Sequence, residues 1–249
     1  GDRWYIRFRT LTKDAGGFDI ENDVRQVSAL GRLYPTENPQ KEGDTMTYLH
    51  LIPNGLNIPG RPDLGSWSGR YGWNDEYSMW WCDQQDYLEG YGTSRDNTLR
   101  RWAADLQQDF AGRMQWGTSS SFSAANHNPI AVLNGDSSDA LLELSATAGD
   151  SLSLSAASSS DPDGDTLSYE WIAYPELSTY DGSYDKLLLS TSGSSSSLKV
   201  PADARVGDVF HVILRVSDSG SPTLVDYKRV RVTVAKTTTT PAGDTEIMY

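Results

Sequence analysis

Tryptophan is unevenly placed along this chain: seven of its eight lie between Trp4 and Trp116, and the last, Trp171, stands in a stretch dominated by Ser, Thr, Val, Leu and Asp. Regions with such different side chains build different cores. The composition changes near residue 126. There Asn128 precedes Pro129, which disfavours helix and reads as a turn into extended chain, so the boundary is placed in Ala125-Asn126-His127-Asn128-Pro129. A length of 249 residues suits one large domain or two ordinary ones. The expected division is 1–126, 127–236, and a tail or linker over 237–249 with little apolar surface to bury.

Charge narrows the partners. Lys and Arg total 21 against 34 for Asp and Glu, a net charge of −13, and the second half carries 17 acidic against 8 basic side chains. A phosphate backbone or an anionic membrane would be repelled. No apolar run approaches the roughly 20 residues that cross a bilayer, and no leader pattern opens the chain at Gly1, so a soluble, already processed chain is expected. Cys82 is the only cysteine, which excludes an internal disulfide and any multi-cysteine zinc motif. The G-x-S-x-G, Walker, H-E-x-x-H and dinucleotide patterns are absent from the sequence.

The second half reads as strands near 141–146, 151–156, 167–173 and 209–217, separated by Gly, Asp, Ser and Pro clusters. Phe210, Val212, Leu214 and Val216 share one face while His211 and Arg215 share the other, the alternation of a half-buried strand. Val230, Val232 and Val234 alternate with Arg229, Arg231 and Thr233 in the same way. The expected fold is an all-β sandwich of the immunoglobulin-like type. In the first half the clearest element is a helix over 98–116, with Leu99, Trp102, Ala103, Leu106 and Phe110 on one stripe and Asp105, Gln108 and Asp109 elsewhere. Asp96 or Asn97 can cap it and Gly117 can end it. The run 47–52 before Pro53-Asn54-Gly55 reads as a buried strand leading into a loop.

Three constellations carry chemistry. Asp161-Pro162-Asp163-Gly164-Asp165 places three carboxylates at alternate positions, which suits a calcium ion and equally suits a surface turn whose Asp side chains accept backbone N–H bonds. Glu42-Gly43-Asp44 stands before the apolar run that holds His50, where a metal, a sugar hydroxyl or plain solvent would serve the carboxylates. Between residues 54 and 91, Trp67, Tyr71, Trp73, Tyr77, Trp80, Trp81, Tyr87 and Tyr91 are interleaved with Arg70, Asn74, Asp83 and Asp86. Aromatic faces beside hydrogen-bonding groups suit a sugar, whose C–H face stacks while its hydroxyls are bonded. The same rings also suit the core of an irregular region.

Longer strings carry a resemblance. Glu42-Gly43-Asp44, Tyr48-Leu49-His50-Leu51-Ile52-Pro53-Asn54-Gly55-Leu56, Arg61-Pro62-Asp63, Gly69-Arg70-Tyr71-Gly72, Asp109-Phe110-Ala111-Gly112-Arg113-Met114, Asn126-His127-Asn128-Pro129 and the Asp161–Asp165 string together resemble the bacterial nucleoside hydrolase-like, cellulose-binding proteins. The resemblance covers roughly 28–235. It implies an α/β front similar to nucleoside hydrolases, an immunoglobulin-like rear, secretion to the exterior or periplasm, and a plant or algal polysaccharide or glycoside as partner. The aspartate cluster that such folds place after their first strand is absent, so the chain is expected to begin inside the α/β domain, with a missing N-terminal segment as a further partner. The resemblance further implies that Asp44 stands where a late metal-ligating aspartate would fall. If the parent is a calcium-assisted glycosidase, Glu42, Asp44 and His50 line its site and Trp67, Arg70, Tyr71 and Trp73 position the sugar. If it is a binding module, the same aromatics hold a glycan without cleaving it. In a structural reading, calcium at Asp161, Asp163 and Asp165 stiffens an extracellular spacer.

Overall fold

The structure, a computed structural model, describes residues 15–35, 43–74, 80–182 and 188–236. The expected tail lies outside the described residues. In front are α1 (Gly43–Leu51), a hairpin of β1 (Tyr71–Asn74) and β2 (Trp80–Asp83), a second hairpin of β3 (Asp86–Leu88) and β4 (Gly92–Ser94), then α2 (Asn97–Arg100) and α3 (Ala103–Trp116). Both hairpins are antiparallel, so among the described residues the expected α/β front consists of helices and short hairpins.

The strand expected at 47–52 is a helix. Leu49 is buried and Ile52, three residues on, packs against the same cluster, while Tyr48 and Leu51 are exposed. That spacing is helical. A continuous apolar run has no period of its own, and packing decided the outcome. Pro53 disfavours α geometry at the residue before it, and the helix stops at Leu51. The helix expected over 98–116 is broken at Arg101 and Trp102 into α2 and α3. Its apolar stripe is buried as expected at Leu99, Trp102, Ala103 and Leu106, but Asp105 and Asp109 are buried too. Asp96 holds the N-cap position of α2 without a side-chain cap bond.

The rear half is a two-sheet β-sandwich. One sheet has β5 (Leu142–Ala146), β11 (Val225–Val234), β10 (Val209–Ser217) and β7 (Ser168–Ala173) in that order, and the other has β6 (Ser151–Ser155), β9 (Ser195–Lys199) and β8 (Leu188–Ser192). Only the β5–β11 pair is parallel among these strands. Leu154 and Leu198 from the smaller sheet meet Phe210, Val212, Leu214, Val216, Val230, Val232 and Val234 from the larger one in a single apolar core. The strands β8 and β9, which the sequence did not single out, are Ser-rich and turn at Gly193, whose φ of 54° suits a two-residue hairpin loop.

The other face of the larger sheet is not exposed. Ile213, Val225 and Tyr227 join Leu49, Leu56, Trp67, Leu99, Trp102, Leu106 and Tyr174 in a second cluster that draws from both sides of residue 126. His211 and Arg229, expected on a solvent face, are buried. The strands β10 and β11 are therefore covered on both sides, by the smaller sheet and by the front half. Contact is close enough that a Cβ on Gly55 would stand 1.9 Å from the Tyr227 carbonyl oxygen. Asn126 donates to Asp218 and to the Pro222 carbonyl, and Asn128 donates to the Val225 carbonyl, so the junction itself is tied to the sandwich.

Candidate functional site

Two buried carboxylates fix the front half on the sheet. Asp105 accepts from Arg215 Nε at 2.8 Å and Nη2 at 2.6 Å, and from the Tyr227 hydroxyl. Asp86 accepts from Arg70 Nε at 2.8 Å and from the Tyr174 hydroxyl at 2.5 Å, with Arg101 Nε 3.5 Å away. Burial first, and the adjacent carboxylate second, push both tyrosine hydroxyls well above their ordinary range, so they remain donors. Arg229 donates to the Gly65 carbonyl at 2.7 Å and has no carboxylate partner among the described residues; burial lowers its pKa to about 10. Charge-assisted bonds of this kind are about twice as strong as neutral ones and directional, and they set where the two hairpins stand.

These bonds reassign the expected sugar-positioning residues. Trp67 is 2% exposed; it packs edge-on to Tyr227 and donates from Nε1 to the Tyr227 hydroxyl at 3.3 Å. Arg70 is buried in the Asp86 ion pair and also donates to the Gln85 carbonyl. Neither side chain reaches a ligand surface, a correction to the expectation for both. Tyr71 is half-buried and donates its hydroxyl to the Ser68 carbonyl at 2.7 Å. Trp73 is 52% exposed and remains available.

Trp73 has company that the sequence did not place beside it. In the β1–β2 register Trp73 faces Trp81, which is 48% exposed, and the rings meet edge to face with centroids 5.8 Å apart and planes at 79°. Tyr71 and Asp83 are the next pair on that side of the hairpin, with Arg95 ion-paired to Asp83 at 3.8 Å. On the second hairpin Tyr87 and Tyr91 are 59% and 60% exposed, and the Arg100 guanidinium lies 4.1 Å over the Tyr91 ring. That hairpin is anchored by Asn97, which donates to the Asp86 and Gly92 carbonyls, and by Glu176, which accepts from the Tyr87 amide. The outcome is two sets of exposed rings, Trp73 with Trp81 on the first hairpin and Tyr87 with Tyr91 on the second.

The expected catalytic group does not assemble among the described residues. Glu42 lies outside them, and of Asp44 only the backbone in α1 is described. His50 is six residues further along the helix, which sets the two Cα positions about 120° apart around the axis and about 9 Å along it. The His50 ring faces Ser66 at 3.4 Å, its Nε2 is buried without a partner among the described residues, and burial lowers its pKa despite the opposing pull of Asp63. His50 is thus part of the packing under the loop.

The Asp161–Asp165 turn is likewise accounted for. Asp161 Oδ1 accepts the amides of Asp163 at 2.8 Å and Asp165 at 3.0 Å. Asp163 accepts the His127 amide at 2.7 Å, and Asp165 accepts from the Ser219 hydroxyl. Asp161 Oδ2 is buried without a partner among the described residues, one oxygen where calcium takes 6 to 8. No group of three or more His, Cys, Asp or Glu among the described residues could hold a metal ion. The described residues do not fit calcium; they fit the plain turn, with His127 stacked between the Trp116 and Phe122 rings as the contact to the front half.

Comparison with known proteins follows this division. Residues 9–71 match the family described as cellulose-binding Sde182, nucleoside hydrolase-like domain, and residues 151–234 match the cellulose-binding protein Sde0182, C-terminal domain. The solved structure of a nucleoside hydrolase-related hypothetical protein from Saccharophagus degradans, associated with carbohydrate metabolism, is 34% identical over 86% of this chain with a TM-score of 0.71. This chain spans 53% of that one. An endo-fucoidan hydrolase of glycoside hydrolase family 107 (16% identity, 44% of this chain and 14% of that one, TM-score 0.28) and mouse clustered protocadherin PcdhgC3 (21%, 43% and 33%, 0.25) are too distant to carry an argument. No curated protein matches. Both stretches of the chain are thus similar to the cellulose-binding Sde182 proteins, the first to their nucleoside hydrolase-like domain and the second to their C-terminal domain.

Proposed function

We propose that this chain binds carbohydrate, a plant or algal polysaccharide or glycoside, outside the cell, on the exposed rings of its front hairpins. The observation that carries the reading is the sorting of the aromatic segment: Trp67 is buried in the interface while Trp73, Trp81, Tyr87 and Tyr91 keep about half or more of their surface in solvent. Exposed aromatic rings beside charged, hydrogen-bonding side chains are what a sugar surface recognises. The rear sandwich, read as immunoglobulin-like, serves as the support on which the hairpins are fixed. Similarity to the cellulose-binding Sde182 proteins supports cellulose as the first polymer to test. Incubation of the chain with insoluble cellulose and with algal glycans, followed by measurement of free protein, should show depletion by at least one of them. Full recovery of free protein from every polymer would contradict the reading.

The nucleoside hydrolase-like match over 9–71, which includes Glu42, Asp44 and His50, favours a second reading for a longer parent polypeptide, in which these residues serve a glycosidase. Release of reducing sugar by the parent and its loss in Asp44→Asn is the expected outcome there, and unchanged release would remove Asp44 from that role.

A further inference from the structure

The geometry points to a site between Trp73 and Trp81 that takes a single β-glucan chain, soluble or amorphous, in preference to the flat face of crystalline cellulose. This inference rests on the carbohydrate-binding reading above. The argument is one of shape. On a crystal face the sugar rings lie in one plane, and several protein rings grip it only when they are coplanar with one another. Trp73 and Trp81 stand at 79°. Only one of them can lie flat on a planar surface while the other meets it edge-on. A lone chain can turn into the corner between them, with the C–H face of one sugar on one indole and the side of the same or the next sugar against the other.

Hydrogen-bonding groups stand where such a sugar would present its hydroxyls. Cross-strand pairing puts Tyr71 and Asp83 next to the tryptophan pair on the same side of the hairpin, two residues along each strand and so about 7 Å away. Asp83, with Arg95 at 3.8 Å, offers a carboxylate and a guanidinium on one side of the corner. On the opposite side of the hairpin the Gln84 side chain lies close against the strand: a Cβ on Gly72 would stand 2.3 Å from its nitrogen. Gln84 in turn donates its backbone N–H to the Arg70 carbonyl, beside the buried Arg70–Asp86 pair. The corner is therefore backed by the locked base of the hairpin, and little ordering is left to be done on binding.

Native gels cast with soluble hydroxyethyl cellulose, run beside depletion by microcrystalline cellulose, test this with the wild type and with Trp73→Ala, Trp81→Ala and Asp83→Asn. The wild type should be retarded by the soluble polymer and left largely in solution by the crystalline one. Each tryptophan variant should weaken soluble binding about tenfold or more while keeping the wild-type melting temperature. Asp83→Asn retains both rings and should weaken binding by a few-fold, which keeps the test decisive if a tryptophan variant disturbs the hairpin. Retardation unchanged in all three variants would overturn this site while leaving carbohydrate binding intact. Stronger depletion by crystalline than by soluble cellulose would overturn the single-chain preference. Absence of wild-type binding to either form, or to any other glycan, would overturn the underlying reading and this site with it.

Discussion

The two faces of the larger sheet are covered by opposite means, and Arg215 and Arg231 stay partly exposed on one of them. Toward the smaller sheet β10 and β11 present Phe210, Val212, Leu214, Val216, Val230, Val232 and Val234, and contact there is apolar throughout. Toward the front half the same strands present His211, Ile213, Arg215, Val225, Tyr227, Arg229 and Arg231, and that face is closed over by paired charges with aromatic rings between them. The first face depends on area and close fit; the second depends on acceptors for its buried cations, Asp105 for Arg215 and the Gly65 carbonyl for Arg229. Alternating polar residues on a strand thus do not guarantee a solvated face when a carboxylate from elsewhere in the chain, here Asp105, reaches them.

The comparison makes graded predictions. Removing a buried carboxylate should have the largest effect: Asp86→Ala leaves the Arg70 charge buried without its counter-ion and the Tyr174 hydroxyl without its acceptor, and should cost about 3–5 kcal/mol in urea unfolding. On the apolar face Leu214→Ala should cost about 3 kcal/mol, the ordinary penalty of a core cavity. Next comes Gly55→Ala, which sets a Cβ against the Tyr227 carbonyl at a φ of 72° and should lower stability by about 2 kcal/mol, detectable as a drop in melting temperature.

Acidification separates the faces by sign. Burial, with Arg229 and Arg231 nearby, lowers the His211 pKa to about 3 from an ordinary value of 6.5. The unfolded chain therefore binds that proton more readily, and the stability tied to a neutral His211, full above pH 6.5, is lost as pH falls toward 3, at no more than about 1.4 kcal/mol per pH unit. Asp226, raised to about 6 mainly by burial, works the other way and adds stability as pH falls from 6 toward 3.8. A His211→Asn variant should consequently lose less stability than the wild type between pH 6.5 and 4 in parallel denaturant titrations. Equal slopes would show that the histidine is not held neutral. Asp105→Leu combined with Arg215→Met should cost less than Asp105→Leu alone, since the ion pair is then removed whole, and what remains is about 1–3 kcal/mol for the buried Tyr227 hydroxyl that loses its acceptor.

How much of this was legible in the sequence depended on whether the deciding partner was local. The strands β5, β6, β7, β10 and β11 announced themselves through period-two alternation, because each carries its own inward residues. The pair β8 and β9 did not, since serine or threonine fills six of their ten positions, and Leu189 and Leu198 are the described hydrophobic side chains that touch the core. The helix α1 was hidden by an apolar run without a period. The candidate site was found as a segment but not as a surface. Trp67 and Trp73 are the same residue six positions apart, and nothing near them in the chain says that Tyr227 buries the first, 160 residues away, while the second pairs with Trp81 on an open hairpin.

That sorting of tryptophans is the central claim, and the indole N–H signals of the eight tryptophans test it directly. In a titration of isotope-labelled chain with a soluble cello-oligosaccharide, the signals assigned to Trp73 and Trp81 should shift while those of Trp67, Trp102 and Trp171 stay in place. Shifts confined to the buried indoles, or sugar binding that leaves Trp73 and Trp81 unmoved, would contradict the account.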